Sequence, residues 1–118
     1  MALSLNNLAA LYYDQGKYAD AEPILKRALV IEEKAVGKDH PNVATGISNL
    51  AELYQAQGQY AEAEPLYKRS LKISEKALGS EHPEVATICE NMADFYRQIG
   101  RVNEAEKLEA RARTIRLK

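Results

Sequence analysis

Displaced by 42 residues, the sequence falls back onto itself: residues 1–42 and 43–84 are identical at 23 of 42 positions. The matched set includes Asn7, Leu8, Ala9, Leu11, Tyr12, Gln15 and Gly16 against Asn49, Leu50, Ala51, Leu53, Tyr54, Gln57 and Gly58. A second displacement reaches Asn91, Met92, Ala93, Phe95, Tyr96, Ile99 and Gly100, looser in identity but faithful in size and polarity. A period of this length belongs to repeat architectures, in which one unit cannot bury its own apolar face and must stack on a neighbour.

Within each copy the apolar residues fall at i, i+3, i+4 and i+7: Leu5, Leu8, Ala9 and Tyr12, then Ile47, Leu50, Ala51 and Tyr54. That is the buried stripe of an amphipathic helix, here helix A. Gly16, Gly58 and Gly100 close it at the left-handed position, where the missing Cβ removes the strain. Helix B follows with Tyr18, Ala21, Leu25, Ala28 and Leu29, matched by Tyr60, Ala63, Tyr67, Ser70 and Leu71, and it ends at Gly37 and Gly79. The next helix A is announced by Asp39-His40-Pro41 and Glu81-His82-Pro83. Proline suits the first helical position, because its absent N–H would be unbonded there in any case.

The pattern predicts six helices, at about 2–15, 18–36, 42–57, 60–78, 84–99 and 102–117, and no strand. Ala9, Ala21 and Ala28 recur as Ala51, Ala63 and Ser70, and as Ala93, Ala105 and Ala112, letting helices A and B approach closely while Leu and Tyr fill the space between hairpins. Pro23 and Pro65 break the local rules, since each removes a backbone hydrogen bond inside helix B. They predict a bend or a loosened first turn in the first two B helices, absent from the third, which has Lys107 instead.

The spacing Leu8-Ala9-x-x-Tyr12-x-x-x-Gly16-x-x-x-x-Ala21, repeated from Leu50 and Met92, resembles the tetratricopeptide repeat (TPR). The usual unit is about 34 residues, so the excess implies a lengthened helix B and a longer connection. With Gly37-Lys38-Asp39-His40-Pro41 between hairpins and Leu5-Asn6-Asn7-Leu8-Ala9 opening a helix, the variant looks like the kinesin light chain subfamily. The resemblance implies an all-α fold, a right-handed superhelical solenoid of three antiparallel hairpins. It implies one domain over 1–118, with repeats at approximately 1–41, 42–83 and 84–118.

The same resemblance implies a concave groove, lined by the A helices, that holds an extended peptide or a partner's helix. Asn7, Asn49 and Asn91 are its recurring candidates for bonding a ligand backbone; interhelical hydrogen bonding is the equally weighted alternative. Asparagine is a poor helix former, so three at one phase need a specific partner. Asn6, Ala10 and Tyr13, then Ser48, Glu52 and Gln55, then Glu90, Asp94 and Arg97 are the groove positions that vary between copies, where specificity would lie. Carboxylate-clamp members of the family use lysine and arginine there. One Arg97 against Glu52, Glu90 and Asp94 departs from that clamp and from a basic groove, so the expected ligand is neutral or basic.

Composition excludes other classes. Apolar residues make up 46% and charged residues 28%, enough to bury a core and too mixed for a disordered tail or a membrane span. A formal charge of −1 argues against nucleic acid. Residues 97–118 hold 7 basic and 3 acidic side chains, but these alternate with apolar residues at helical spacing and read as a solvated face. Cys89 cannot form an internal disulfide, and no N-x-S/T site is present, so a cytoplasmic address is expected. Cys89 shares the phase of Leu5 and Ile47, which makes it a small buried hydrophobe and not a nucleophile.

His40 and His82 lie one repeat apart in equivalent loops, too far to share a metal, and read as turn or cap residues. Glu22, Glu64 and Glu106 recur at one phase, tracking the fold, whereas catalytic carboxylates are unique and asymmetric. Glu32-Glu33-Lys34 and Glu75-Lys76 read as solvated faces with i,i+4 pairing. The expectation is a non-enzymatic interaction module without catalytic site, cofactor or metal.

Helix B of the third copy replaces Leu25 and Leu29 with Glu109 and Arg113, the polar face that a C-terminal cap needs. The first copy begins inside helix A, without a His-Pro start. Two functions follow: a groove-binding module forming the C-terminal part of a longer array, or an assembly module that forms a homodimer through its uncapped N-terminal hairpin.

Overall fold

The structure, a computed structural model, describes residues 2–118, with side chains described from Asn7 onward. The helices are α1 (Ala2–Asp14), α2 (Tyr18–Val36), α3 (Pro41–Ala56), α4 (Tyr60–Leu78), α5 (Pro83–Gln98) and α6 (Val102–Arg116). Each lies within a residue or so of its sequence-predicted bounds, and the described residues contain no strand. Helices α1 and α2, α3 and α4, and α5 and α6 form the hairpins; α2 then packs on α3 and α4 on α5. The result is an all-α helical solenoid.

The turn signals act as their chemistry requires. Gly58 between α3 and α4 has φ +76°, and Gly79 after α4 has φ +94°, both in the region that side chains with a Cβ avoid. The two histidines are helix caps. His40 Nδ1 accepts a hydrogen bond from the Asn42 amide at 3.0 Å, and His82 Nδ1 from the Glu84 amide at 3.1 Å, each just before a proline at the start of its A helix. An orphan N–H of α3 and of α5 is thereby satisfied.

Packing follows the predicted stripe. Ala9, Ala21, Leu25, Leu50 and Leu53 form one cluster; Ala51, Ala63, Tyr67, Met92, Phe95 and Tyr96 form part of the next. Leu25 of α2 and Tyr67 of α4 are the register-equivalent residues that seat one hairpin on the following A helix. Within the second hairpin, the buried Ser70 hydroxyl donates to the Ala44 carbonyl at 2.7 Å and ties α4 to α3. Cys89 is fully buried and burial pushes its thiol up, as suits an inert core residue.

Three expectations are altered. Helices α2 and α4 run unbroken through Pro23 and Pro65. Their first-turn bonds, Ala21 N to Lys17 O at 3.1 Å and Ala63 N to Gln59 O at 3.2 Å, match the 3.2 Å bond from Ala105 to Arg101 in proline-free α6. No loosened turn distinguishes them, because Ala19 and Ala61, whose carbonyls lose the proline partner, are exposed to water. Second, the charged runs find partners outside their own helix: Glu75 pairs with Arg111 of α6, Lys76 with Asp39 of the loop between α2 and α3 at 3.8 Å, and Glu32 accepts from Asn42 of α3 at 3.3 Å. Third, the basic C-terminal segment is not simply solvated. Arg97, Arg101, Arg111 and Arg116 each pair with a carboxylate, on α6, α4 and α6, α4, and α5 in turn.

Candidate binding groove

Helices α1, α3 and α5 stand side by side, and the seams between successive helices open into a row of recesses. A recess of about 150 Å³ between α1 and α3 is lined by Ala9, Ala10, Tyr13, Asp14, Leu25, Asn49 and Glu52. Between α3 and α5 lie two more. One, of about 250 Å³, is lined by Thr45, Ser48, Asn49, Glu84, Thr87, Ile88 and Asn91. The other, of about 280 Å³, is lined by Tyr13, Glu52, Gln55, Ala56, Tyr67, Asn91, Asp94 and Gln98. A fourth, of about 550 Å³ between α5 and α6, is lined by Glu90, Asp94, Glu109, Arg113, Arg116 and Leu117.

One B-helix position supplies a side chain to three of these recesses: Leu25, then Tyr67, then Glu109. Along the repeat the same structural site therefore changes from aliphatic to phenolic to acidic. The A-helix position runs Ala10, Glu52, Asp94, apolar and then acidic twice. The first recess sets the carboxylates of Asp14 and Glu52 beside an apolar wall of Ala9, Ala10 and Leu25.

Most sequence-predicted groove residues meet here. Tyr13, Ser48, Asn49, Glu52, Gln55, Glu90, Asn91 and Asp94 all line a recess. Neither Asn49 nor Asn91 hydrogen-bonds through its side chain to another described residue, so the interhelical bonding weighed for this register is not made by these two. Asn7 is exposed and is not among the lining residues of these four recesses, and the Asn6 side chain lies outside the described residues.

Arg97 is not among the lining residues of these four recesses, although its partner is. Its guanidinium turns to α6 and grips Glu109 with two hydrogen bonds, Nε to Oε2 at 2.9 Å and Nη2 to Oε1 at 2.5 Å. The one cation predicted for the groove is thus neutralised. Glu90 is likewise engaged by Arg116, at 2.9 and 2.8 Å, and those hydrogen bonds hold its carboxyl below the usual range.

Glu52 differs. It is half-buried, no described cation pairs with it, and burial pushes its carboxyl up. Asp94, exposed on the next A helix, also has no described ion-pair partner. Behind them runs a hydrogen-bond chain that the sequence did not reveal. Tyr67 Oη donates to Gln55 Oε1 at 2.7 Å, Gln55 Nε2 to Gln98 Oε1 at 2.6 Å, and Gln98 Nε2 to Tyr60 Oη at 3.1 Å. Burial, with Glu52 nearby, pushes the Tyr67 phenol up, so it stays a neutral donor. Tyr13 closes the opposite wall, stacked edge-on against Tyr18 with ring centroids 5.3 Å apart.

Among the described residues no group of three His, Cys, Asp or Glu side chains converges to hold a metal, and no helix is long and apolar enough to cross a membrane. What this row of recesses offers is hydrogen bonding, aromatic contact and negative charge along an open channel.

Family models described as tetratricopeptide repeat match residues 1–42 and 43–118. The chain belongs to the tetratricopeptide repeat family, whose arrays generally act as protein–protein interaction modules and are typically non-enzymatic scaffolds. Within it, the array is of the kinesin-light-chain-like kind. A Podosopora anserina protein described as a putative kinesin light chain with nearly identical TPR-like repeats superposes with a TM-score of 0.86 at 32% identity, covering 98% of this chain and 55% of that one. A point variant of that same protein gives 0.85 at 31%, with 98% and 54% covered. BtubC (BKLC) from P. vanneervenii gives 0.85 at 27%, covering 93% of this chain and 43% of that one. The chain thus spans about half the length of these solved structures.

Proposed function

We propose that the chain holds a segment of a partner protein in the channel along α1, α3 and α5, and that the preferred segment is neutral to basic. The observation behind this reading is the charge balance of the channel. Its lining carboxylates Asp14, Glu52, Glu84 and Asp94 have no ion-pair partner among the described residues, whereas Arg113 is the one lining cation in that position. A carboxylate already desolvated, like Glu52, has lost part of its hydration, and an incoming guanidinium or ammonium replaces what is missing. Asn49 and Asn91 offer amide groups beside it for a ligand backbone, and in the first recess Ala9, Ala10 and Leu25 give an apolar wall for the stem of a basic side chain whose head meets Asp14 or Glu52.

A peptide array of acidic, neutral and basic 12-residue segments, probed with the wild-type chain and with an Asn49→Ala, Asn91→Ala double variant, tests the reading. Basic or neutral spots should dominate and fade with the double variant. Binding of acidic peptides alone, or equal recovery by both forms, overturns it.

One observation favours a second reading, self-association through the first hairpin. Leu8 and Leu11 are 40% and 52% exposed, while their equivalents Leu50, Leu53, Met92 and Phe95 are 6% exposed or less. A second copy's matching stripe would cover them. Light scattering that shows a concentration-independent dimer, dissociated by Leu11→Arg, supports this reading; a monomer at every concentration removes it.

A further inference from the structure

Two of the carboxylates without a described ion-pair partner, Glu52 of α3 and Asp94 of α5, line the same recess, the one that Tyr13 and Tyr67 also wall. One seam along, the chain shows such an arrangement already filled. Glu90 and Glu109 line the recess between α5 and α6, and each is gripped through two hydrogen bonds by one of the chain's own guanidiniums. Arg116 holds Glu90 at 2.9 and 2.8 Å, and Arg97 holds Glu109 at 2.9 and 2.5 Å. One repeat earlier the positions of Arg97 and Arg116 are Gln55 and the buried Ser74, so the recess between α3 and α5 keeps its carboxylates without an arginine to meet them.

The rest of the wall narrows the cation. The Tyr67 hydroxyl proton and an N–H of Gln55 and of Gln98 are spent on the chain of hydrogen bonds at 2.7, 2.6 and 3.1 Å, which leaves the Tyr67 oxygen able to accept. The Tyr67 phenol is pushed up by burial first and then by Glu52, Tyr13 and Asp94, so both carboxylates act on one hydroxyl. A group entering here must donate to acceptors on two helices and give up part of its hydration. An ammonium is a compact, strongly hydrated charge that loses its proton readily when buried. A guanidinium is weakly hydrated, stays charged, spreads five N–H donors over one plane and stacks on aromatic rings.

We infer that this recess is a subsite selective for arginine in the bound segment, its guanidinium bridging Glu52 and Asp94 beside Tyr13 and Tyr67. This rests on the groove-binding reading and names the side chain that the acidic channel selects. At about 280 Å³ the recess admits a guanidinium with room for bridging water.

The test is titration of the ¹⁵N-labelled full chain by N-acetyl-arginine amide, by N-acetyl-lysine amide and by N-acetyl-citrulline amide, the uncharged near-isostere of arginine, at matched ionic strength. The reporters are the backbone amides of Glu52 and Asp94 and the side-chain amides of Gln55 and Gln98. Saturable shifts are expected with the arginine probe, with affinity at least about fivefold lower for lysine and no saturation with citrulline. Glu52→Gln, which keeps the shape of the side chain, should weaken the arginine response about tenfold, the loss of one charge-assisted contact. Tyr67→Leu, a side chain that the first hairpin already carries here as Leu25, should narrow the gap between arginine and lysine. Equal affinity for lysine, a citrulline response matching that of arginine, or no change with Glu52→Gln overturns the inference. Absence of saturable shifts at these groups with every probe also overturns it. If basic peptides still bind the channel in that case, the subsite fails and the groove-binding reading stands; if no basic or neutral peptide binds, both fall.

Discussion

Ser70 and Ser74 stand one turn apart on α4, both essentially inaccessible to water, and their hydroxyls have opposite fates. The Ser70 hydroxyl reaches the Ala44 carbonyl on α3 at 2.7 Å; the Ser74 hydroxyl is buried with no partner. Replacing each with alanine removes the same atom and should change stability in opposite directions. For Ser70→Ala the loss is one neutral hydrogen bond, about 1 kcal/mol net, because the carbonyl keeps its own helical bond. Packing adds little, since the equivalent positions in the sibling hairpins are already Ala28 and Ala112, both buried. For Ser74→Ala the desolvation cost of an unpaired hydroxyl disappears, a gain of about 1 kcal/mol. In a chain of this size each corresponds to about 4 °C in Tm, downward for Ser70→Ala and upward for Ser74→Ala. Urea unfolding followed by circular dichroism, with the m-value held constant between variants, gives the two differences directly. Two changes of the same sign would refute the assignment of partners inside this hairpin.

The caps give a second check: His40→Ala and His82→Ala should each cost about 1 kcal/mol, nearly additively because they lie in separate joints, with faster hydrogen exchange at the Asn42 and Glu84 amides. Ala51, fully buried against Ala63 and Tyr67, leaves no room for a ring, so Ala51→Phe should cost about 1–3 kcal/mol in the same urea assay. Glu52 gives a pH signature. Its folded carboxyl is raised by burial, so its contribution to stability is fully present below the unfolded value, about pH 4, and is lost as pH rises through the folded one. Glu52→Gln should therefore flatten the stability profile just above pH 4 and leave the chain more stable at neutral pH; unchanged wild-type and variant profiles would contradict the burial.

The helices were legible because the signals that bound them are backbone signals. A glycine at positive φ and a His-Pro pair constrain the chain wherever they occur, so α3 and α5 begin at Pro41 and Pro83, one residue before the starts predicted from the sequence. Helical phase also fixes which A-helix residues point to one side, and Ser48, Asn49, Glu52 and Gln55 each line a recess between neighbouring A helices. Where a long side chain ends is not fixed by phase. Arg97 has the right phase for the groove but enough reach to pair with Glu109 at the recess between α5 and α6, and that pairing depends on the distance between the two helices, which no spacing within one helix encodes. The Tyr67–Gln55–Gln98–Tyr60 chain was hidden likewise, since it joins three helices through residues that look ordinary singly. The prolines of α2 and α4 misled in the opposite sense: propensity gave them a structural cost that water, at an exposed carbonyl, largely removes.

An acidic inner channel that receives a neutral to basic segment of a partner is the central claim. The most direct measurement is a calorimetric titration of a basic peptide chosen from the array into wild type and into a Glu52→Gln, Asp94→Asn double variant, at low and high salt. At least tenfold weaker binding by the double variant is expected, with a salt dependence shallower than that of wild type, because Asp14 and Glu84 remain, and no loss of thermal stability. Equal affinity in the two proteins, or tighter binding once the carboxylates are gone, would contradict it.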